Sequence, residues 1–166
     1  MPTPDSNVTP FTGARMRFES DKAYDEVLAA LFADIGERPV PIADLTAEAA
    51  TWDAYQSRVE TYVGPSGFML FAVIDHGKWI GNAGIDRKVL RVILGNPLIA
   101  ITMLRHDVSA GLFAPVELLV VDEPGDRSSI TYVRPSSLMV VESNPPLLAA
   151  ALALDEKLEA LVRKIT

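Results

Sequence analysis

The sequence predicts an α+β fold: a mainly antiparallel sheet with helices packed on one face. Three observations carry that reading. Helix-period patterns dominate residues 20–63, several short apolar runs follow, and one long amphipathic helix closes the chain. Nothing repeats at a fixed period.

Residues 1–14 hold Pro, Thr, Ser, Asp and Asn, and read as a flexible N-terminal lead-in to a single domain over 15–166. Arg15 to Glu19 suits a short strand, with Ser20 set to cap a helix whose Tyr24, Val27, Leu28, Leu31, Phe32 and Ile35 share a face ended by Gly36. Pro39 and Pro41 make Glu37 to Ala43 an extended connection, before a second helix with Trp52, Tyr55, Val59, Tyr62 and Val63 on one side. Gly64-Pro65-Ser66-Gly67 breaks that pattern.

Phe68 to Ile74 is continuously apolar, as expected of a strand that is central or covered on both faces. Val89 to Leu94, Val116 to Val121 and Ser129 to Val133 are further strands, the last reached through the turn Glu123-Pro124-Gly125-Asp126. Between them, Gly95-Asn96-Pro97 supplies a turn, a cap and a first helical residue. The helix it opens, Leu98 to Leu104, is apolar nearly all round and must be buried within the domain or between subunits. Free N–H groups at its start could take an anion. Asn144 and Pro145 begin the last helix, whose Leu147, Ala151, Leu154, Leu158, Leu161 and Ile165 form one stripe over about five turns. Fewer than three heptads favour packing on its own sheet over a coiled coil.

Composition excludes more than it assigns. Of 166 residues, 49% are hydrophobic, enough for a core. A net charge of −7 argues against nucleic acid as a partner. The absence of cysteine removes disulfides, zinc ribbons, iron–sulfur clusters and thiol catalysis. No run reaches the roughly 18 apolar residues of a membrane helix, and the N-terminus lacks the cationic and apolar regions of a secretory signal. The expected location is cytoplasmic, with no membrane partner.

Few side chains remain to carry chemistry. Asp75 and His76 end a strand, where a sheet holds groups that a loop leaves accessible. His106, with Met103 a turn earlier and Asp107 next to it, is the only other imidazole; such a set suits copper or haem iron better than zinc, but no ligand spacing is recognisable. No metal ligand is therefore assigned. No G-x-S-x-G elbow or phosphate-binding loop occurs.

The ordered set Ile74-Asp75-His76, Ala83-Gly84-Ile85, Gly95-Asn96-Pro97, Ala114-Pro115 and Tyr132-x-x-Pro135 resembles the domain-of-unknown-function 302 family over roughly 67–138. The resemblance implies a TATA-box-binding-protein-like β-α-β4-α fold and a homodimer, and implies no settled activity or cofactor. Its characteristic positions fall on Asp75, His76, Gly95, Asn96, Pro97, Tyr132 and Pro135. Ala100-Ile101 stands where the family has Gly-Thr, Ala114-Pro115 where it has Leu-Pro, and 37–63 is longer than the family minimum, as a helical insertion.

Three readings follow. A dimeric small-ligand-binding or sensor-like domain would bind through Asp75, His76, Gly95, Asn96, Pro97 and Tyr132, in a pocket where His76 and the Gly-Asn-Pro turn converge. An enzyme, or a metal- or haem-binding protein, would use His76 with one ring nitrogen bonded and the other free. A structural or interaction domain would bury and satisfy His76.

Overall fold

Three runs of apolar residues and two strands of alternating or mixed polarity pair edge to edge into one antiparallel sheet. The structure, a computed structural model, describes residues 6–166, and positions 1–5 of the expected lead-in lie outside the described residues. The strands are β1 (Arg15–Ser20), β2 (Met69–Asp75), β3 (Val89–Gly95), β4 (Val116–Glu123) and β5 (Arg127–Val133), in the order β1-β5-β4-β3-β2. Every neighbouring pair is antiparallel. The helices are α1 (Tyr24–Ile35), α2 (Ile42–Glu48), α3 (Trp52–Glu60), α4 (His76–Ile80), α5 (Pro97–Leu104), α6 (Pro135–Met139) and α7 (Pro145–Ile165). With α1 and α7 as the main helices, the order is β-α-β4-α, compatible with a TATA-box-binding-protein-like fold. Among the described residues no helix is long and apolar enough to cross a membrane.

Alternation decides which face the helices cover. Leu90, Val92 and Leu94 of β3, Val116, Leu118 and Val120 of β4, and Ile130 and Tyr132 of β5 are buried with Val27 and Leu31 of α1. All six stripe residues of α7 join them. The other face carries Arg17, Arg91 and Glu117 in solvent, with Arg91 paired to Glu117. On that face Glu123 accepts hydrogen bonds from the Ser129 hydroxyl at 2.7 Å and Arg17 at 2.8 Å, which hold its carboxyl below the usual range.

Three expectations change. Ser20 ends β1 and does not cap α1: its oxygen accepts from the Lys22 N–H and its hydroxyl donates to the Thr166 carbonyl, while the capping position of α1 is Ala23, whose N–H donates to Glu26. The second helical pattern is α3, which stops at Glu60, and a further short helix, α2, precedes it from Ile42, inside the expected extended connection; only Val59 of α3 is buried, and Trp52 and Tyr62 face solvent. Strand β2 is an edge strand and not a central one. Val40 donates to its Leu70 carbonyl at 2.9 Å, covering the first half. Past an irregularity between Leu70 and Ala72, Val73 and Ile74 are 40% and 38% exposed. Its continuous apolar run serves two cores in succession: Leu70 enters the main one, and Met69 and Phe71 meet Leu45 and Val59 in a small cluster with α2 and α3.

A buried carboxylate joins three of these parts. Asp34, at the end of α1, accepts from the backbone N–H of Ser66 at 3.1 Å and from its hydroxyl, and from Lys164 of α7 at 3.1 Å. Its side chain is 2% exposed. Gly64 makes this approach feasible, because a Cβ there would fall on the Asp34 carbonyl oxygen. Replacing Asp34 by Ala leaves the half-buried Ser66 donors and Lys164 without their acceptor and is expected to lower unfolding free energy by ~2–4 kcal/mol, measured by urea denaturation. Lys164→Met, which leaves Oδ2 of the buried carboxylate without its donor, should also destabilise, by ~1–3 kcal/mol.

Candidate functional site

Asn96 builds the start of α5 from a short polar side chain next to proline. Its Oδ1 accepts from the Leu98 N–H at 2.8 Å, while its backbone carbonyl accepts from Ile99 and Ala100 at 3.0 and 2.9 Å. Pro97 has no N–H to offer. Every donor of the first turn is thus consumed, and the helix start cannot serve as the anion site that free N–H groups would make. The Asn96 amide donates to the Gly67 carbonyl at 2.9 Å, tying α5 to the turn before β2.

Beneath this turn lies a cavity of about 410 Å³, lined by Gly95, Asn96 and Pro97 together with Phe68, Phe71, Ile99, Ala100, Met103, Leu154, Ile42, Ala114, Pro115 and Val116. Its position follows from the two cores. Phe68, Met103, Val116 and Leu154 belong to or border the main one, whereas Ile42 and Phe71 border the α2–α3 cluster. Small residues at Gly95, Ala100 and Ala114 leave the seam unfilled. Gly95 is required there, since a Cβ would stand 2.9 Å from the Phe71 ring and 3.1 Å from the Pro115 ring. The Ala114–Pro115 bond is cis. Helix α5, apolar nearly all round, is less enclosed than its composition predicts. Only Met103 is fully buried, and one flank borders the cavity instead of packed side chains.

The other expected site residues do not join this cavity. Asp75 pairs with Leu90, whereas Met69 pairs with Gly95, so six residues of β2, roughly 20 Å of strand, separate Asp75 from the Gly95 end. Asp75 caps α4, accepting from the Lys78 N–H at 3.2 Å. The half-buried His76 accepts at Nδ1 from the Trp79 indole N–H at 3.2 Å, with the rings edge to face. No hydrogen bond to its Nε2 is present among the described residues, which is the local arrangement a base or ligand needs. Among the described residues no acidic or basic side chain bonds to its ring, however, and Asp75 accepts from the start of α4. The two anchors of the expected single pocket therefore lie at opposite ends of one hairpin.

Tyr132 stands on the core face of β5, two strands from β3, stacked on Phe18 with ring centroids 6.1 Å apart. Burial first, then the charges of Glu159 and Asp155, push its hydroxyl up to about 12. It packs as a neutral phenol. The Met103–His106–Asp107 set is likewise spent elsewhere: Met103 is in the core, and Asp107 accepts from the Ser109 N–H at 2.8 Å. Among the described residues no group of three or more His, Asp or Glu side chains is arranged to hold a metal.

Of the cavity walls, Phe71, Ile99, Ala100, Leu154 and Ile42 carry no site signal in the sequence, and Met103 stands out there only as a candidate metal ligand. The signal available for them was the placement of Ala100 and Gly95 within otherwise large apolar runs.

A pH titration separates packing from chemistry at the tyrosines. Tyr24 is also pushed up to about 12 by burial, then by Asp75 and Asp25. Both phenols hold their protons in the fold at pH values where an unfolded tyrosine near 10 has lost them, so their stabilisation is complete below pH 10 and falls away as pH rises toward 12. Ultraviolet absorbance titration of Tyr132→Phe is expected to lose amplitude from the step near 12; loss from a step at or below 10 would show an accessible, reactive phenol.

Comparison with known proteins agrees with this architecture. No curated protein matches the chain. A similar solved structure is the crystal structure of an uncharacterized conserved protein DUF302 from Bacillus stearothermophilus, 17% identical, with a TM-score of 0.64 over 92% of this chain and 98% of that one. At that identity the likeness shows the fold alone. The family model "Domain of unknown function DUF302" matches residues 44–165, most of the chain, and the protein belongs to the DUF302 family.

Proposed function

We propose that this protein is a small-ligand-binding domain whose site is the cavity beneath Gly95-Asn96-Pro97, and that His76 is no part of that site. The observation that carries the reading is the cavity itself: about 410 Å³ between two hydrophobic clusters, with aromatic and aliphatic walls. That size is within the ordinary range for ligand sites. No buried side-chain nitrogen or oxygen among the described residues lacks a partner, so no polar group points unsatisfied into the space. Recognition would then rest on apolar burial, at ~25 cal/mol per Å² removed from water. A reaction at this site lacks both nucleophile and base.

Binding is measurable with the neutral fluorescent probe N-phenyl-1-naphthylamine. The wild-type chain is expected to give a saturable rise in emission. Ala100→Phe, placing a ring in the cavity, should weaken it by about tenfold or more without lowering the melting temperature. Ala100→Leu should have a smaller effect in the same direction. Equal binding by wild type and both variants, or no saturable binding by wild type, overturns the assignment.

The same reading includes a cytoplasmic homodimer. The chain carries exposed Leu112, Leu148 and Leu152 at 80%, 41% and 46%, apolar surface that a second copy would remove from water. Its cysteine-free composition suits a reducing compartment. Sedimentation velocity at micromolar concentration should give twice the chain mass, and Leu148→Glu with Leu152→Glu should shift it to the monomer. A monomer at every concentration counts against the dimer and leaves the cavity assignment intact.

A further inference from the structure

Resting on the cavity reading above, we infer that the ligand is a single-chain amphiphile with an apolar tail and one carboxylate head, the tail inside the cavity and the head at Lys157. Leu154 lines the cavity, and Lys157 follows it by three residues on the same face of α7. A Cβ built on Gly67 would have two neighbours within 4 Å: Ile99 Cδ1, a cavity-wall atom, at 3.8 Å, and the Lys157 ammonium at 4.0 Å. The ammonium of the exposed Lys157 thus stands beside Gly67, on the side of the cavity that Ile99 walls.

Lys157 differs from the neighbouring cation of its helix. Lys164 is paired with Asp34, while Lys157 has neither an ion pair nor a side-chain hydrogen bond among the described residues. One uncompensated positive charge beside an otherwise apolar space complements one negative charge on an otherwise apolar molecule. A phosphate dianion fits less well, because the donors it would recruit from the start of α5 already serve Asn96. The overall charge of −7 does not prevent this, since charges beyond ~8 Å are largely screened at physiological salt. Tail length follows from volume. A cavity of ~150 Å³ holds benzene, so about 410 Å³ accommodates on the order of a dozen carbons.

The test is displacement of N-phenyl-1-naphthylamine by decanoate and by decanol, which share a tail and differ in head. Decanoate is expected to displace the probe about fivefold more effectively than decanol from wild type, the scale of one exposed ion pair. Lys157→Gln should abolish that preference while leaving decanol unchanged, and Lys157→Arg should retain it. Raising the salt concentration should shrink the preference in wild type. Equal displacement by the two compounds, or a preference that survives Lys157→Gln, overturns the headgroup assignment while the cavity reading stands. Failure of the probe to bind at all removes both. Displacement by neither compound, with the probe bound, shows that the cavity takes some other occupant and also overturns the inference.

Discussion

The buried Asp34 carboxylate is the constraint on which the cavity end of the molecule depends. A charge that is 2% exposed is tolerable only when its oxygens are occupied, and here the donors, Ser66 and Lys164, come from two parts of the chain distant from α1. The first link is from Asp34 to Ser66, which fixes the tight turn before β2 with Gly64 against the end of α1. The second runs from Gly67 of that turn, whose carbonyl takes the Asn96 amide and so sets the start of α5. Ile99, Ala100 and Met103 then form one wall of the cavity. Lys164 brings in the last turn of α7, the helix that also carries Leu154 and Lys157. The cavity is therefore framed by elements held through polar contacts outside it, which is why its interior can remain apolar without collapsing onto one side.

The two ends of the β2–β3 hairpin are built differently. At the Gly95 end, β2 lies between two hydrophobic clusters and its edge is covered by Val40. At the Asp75 end, it has left both clusters, and α4 projects Trp79 at 59% exposure beside His76. The first arrangement encloses space; the second offers an imidazole in the open. A ring held by one indole N–H on a short exposed helix lacks the supporting groups that fix a catalytic base.

Much of this was readable from the sequence because it rests on local rules. The stripe from Leu147 to Ile165, the Asn144 and Asn96 caps and the β4–β5 turn each depend on residues close in the chain, and each is present. The exceptions share one cause. A continuous apolar run such as 68–74 signals burial but not which core receives it, so the edge position of β2 was illegible. Ser20 has the chemistry of a cap, but its oxygen accepts from the Lys22 N–H, ahead of α1, and its hydroxyl donates to the Thr166 carbonyl, 146 residues away in sequence. Asp75, His76 and the Gly-Asn-Pro turn are close in chain order, yet an antiparallel hairpin pairs the end of one strand with the start of the next, so Asp75 at the end of β2 and Gly95 at the end of β3 lie at opposite ends. Cavities are harder still, because they are defined by side chains that fail to meet.

The Ala100-Ile101 pair shows what the departure from the family pattern does. The usual Gly-Thr there carries a hydroxyl on which a polar site could rely. In this chain Ala100 contributes a methyl to the cavity wall, whereas Ile101 is half-buried and outside the lining. The threonine position therefore faces away from the cavity, and its replacement removes nothing that a bound molecule would touch. The glycine position does face it, and one added methyl narrows the space and makes it more apolar. The width of the cavity in this chain is thus set in part at a position of α5 that makes none of the contacts of Asn96 and Pro97 that hold the helix start, so side-chain size there can change the space without changing those contacts.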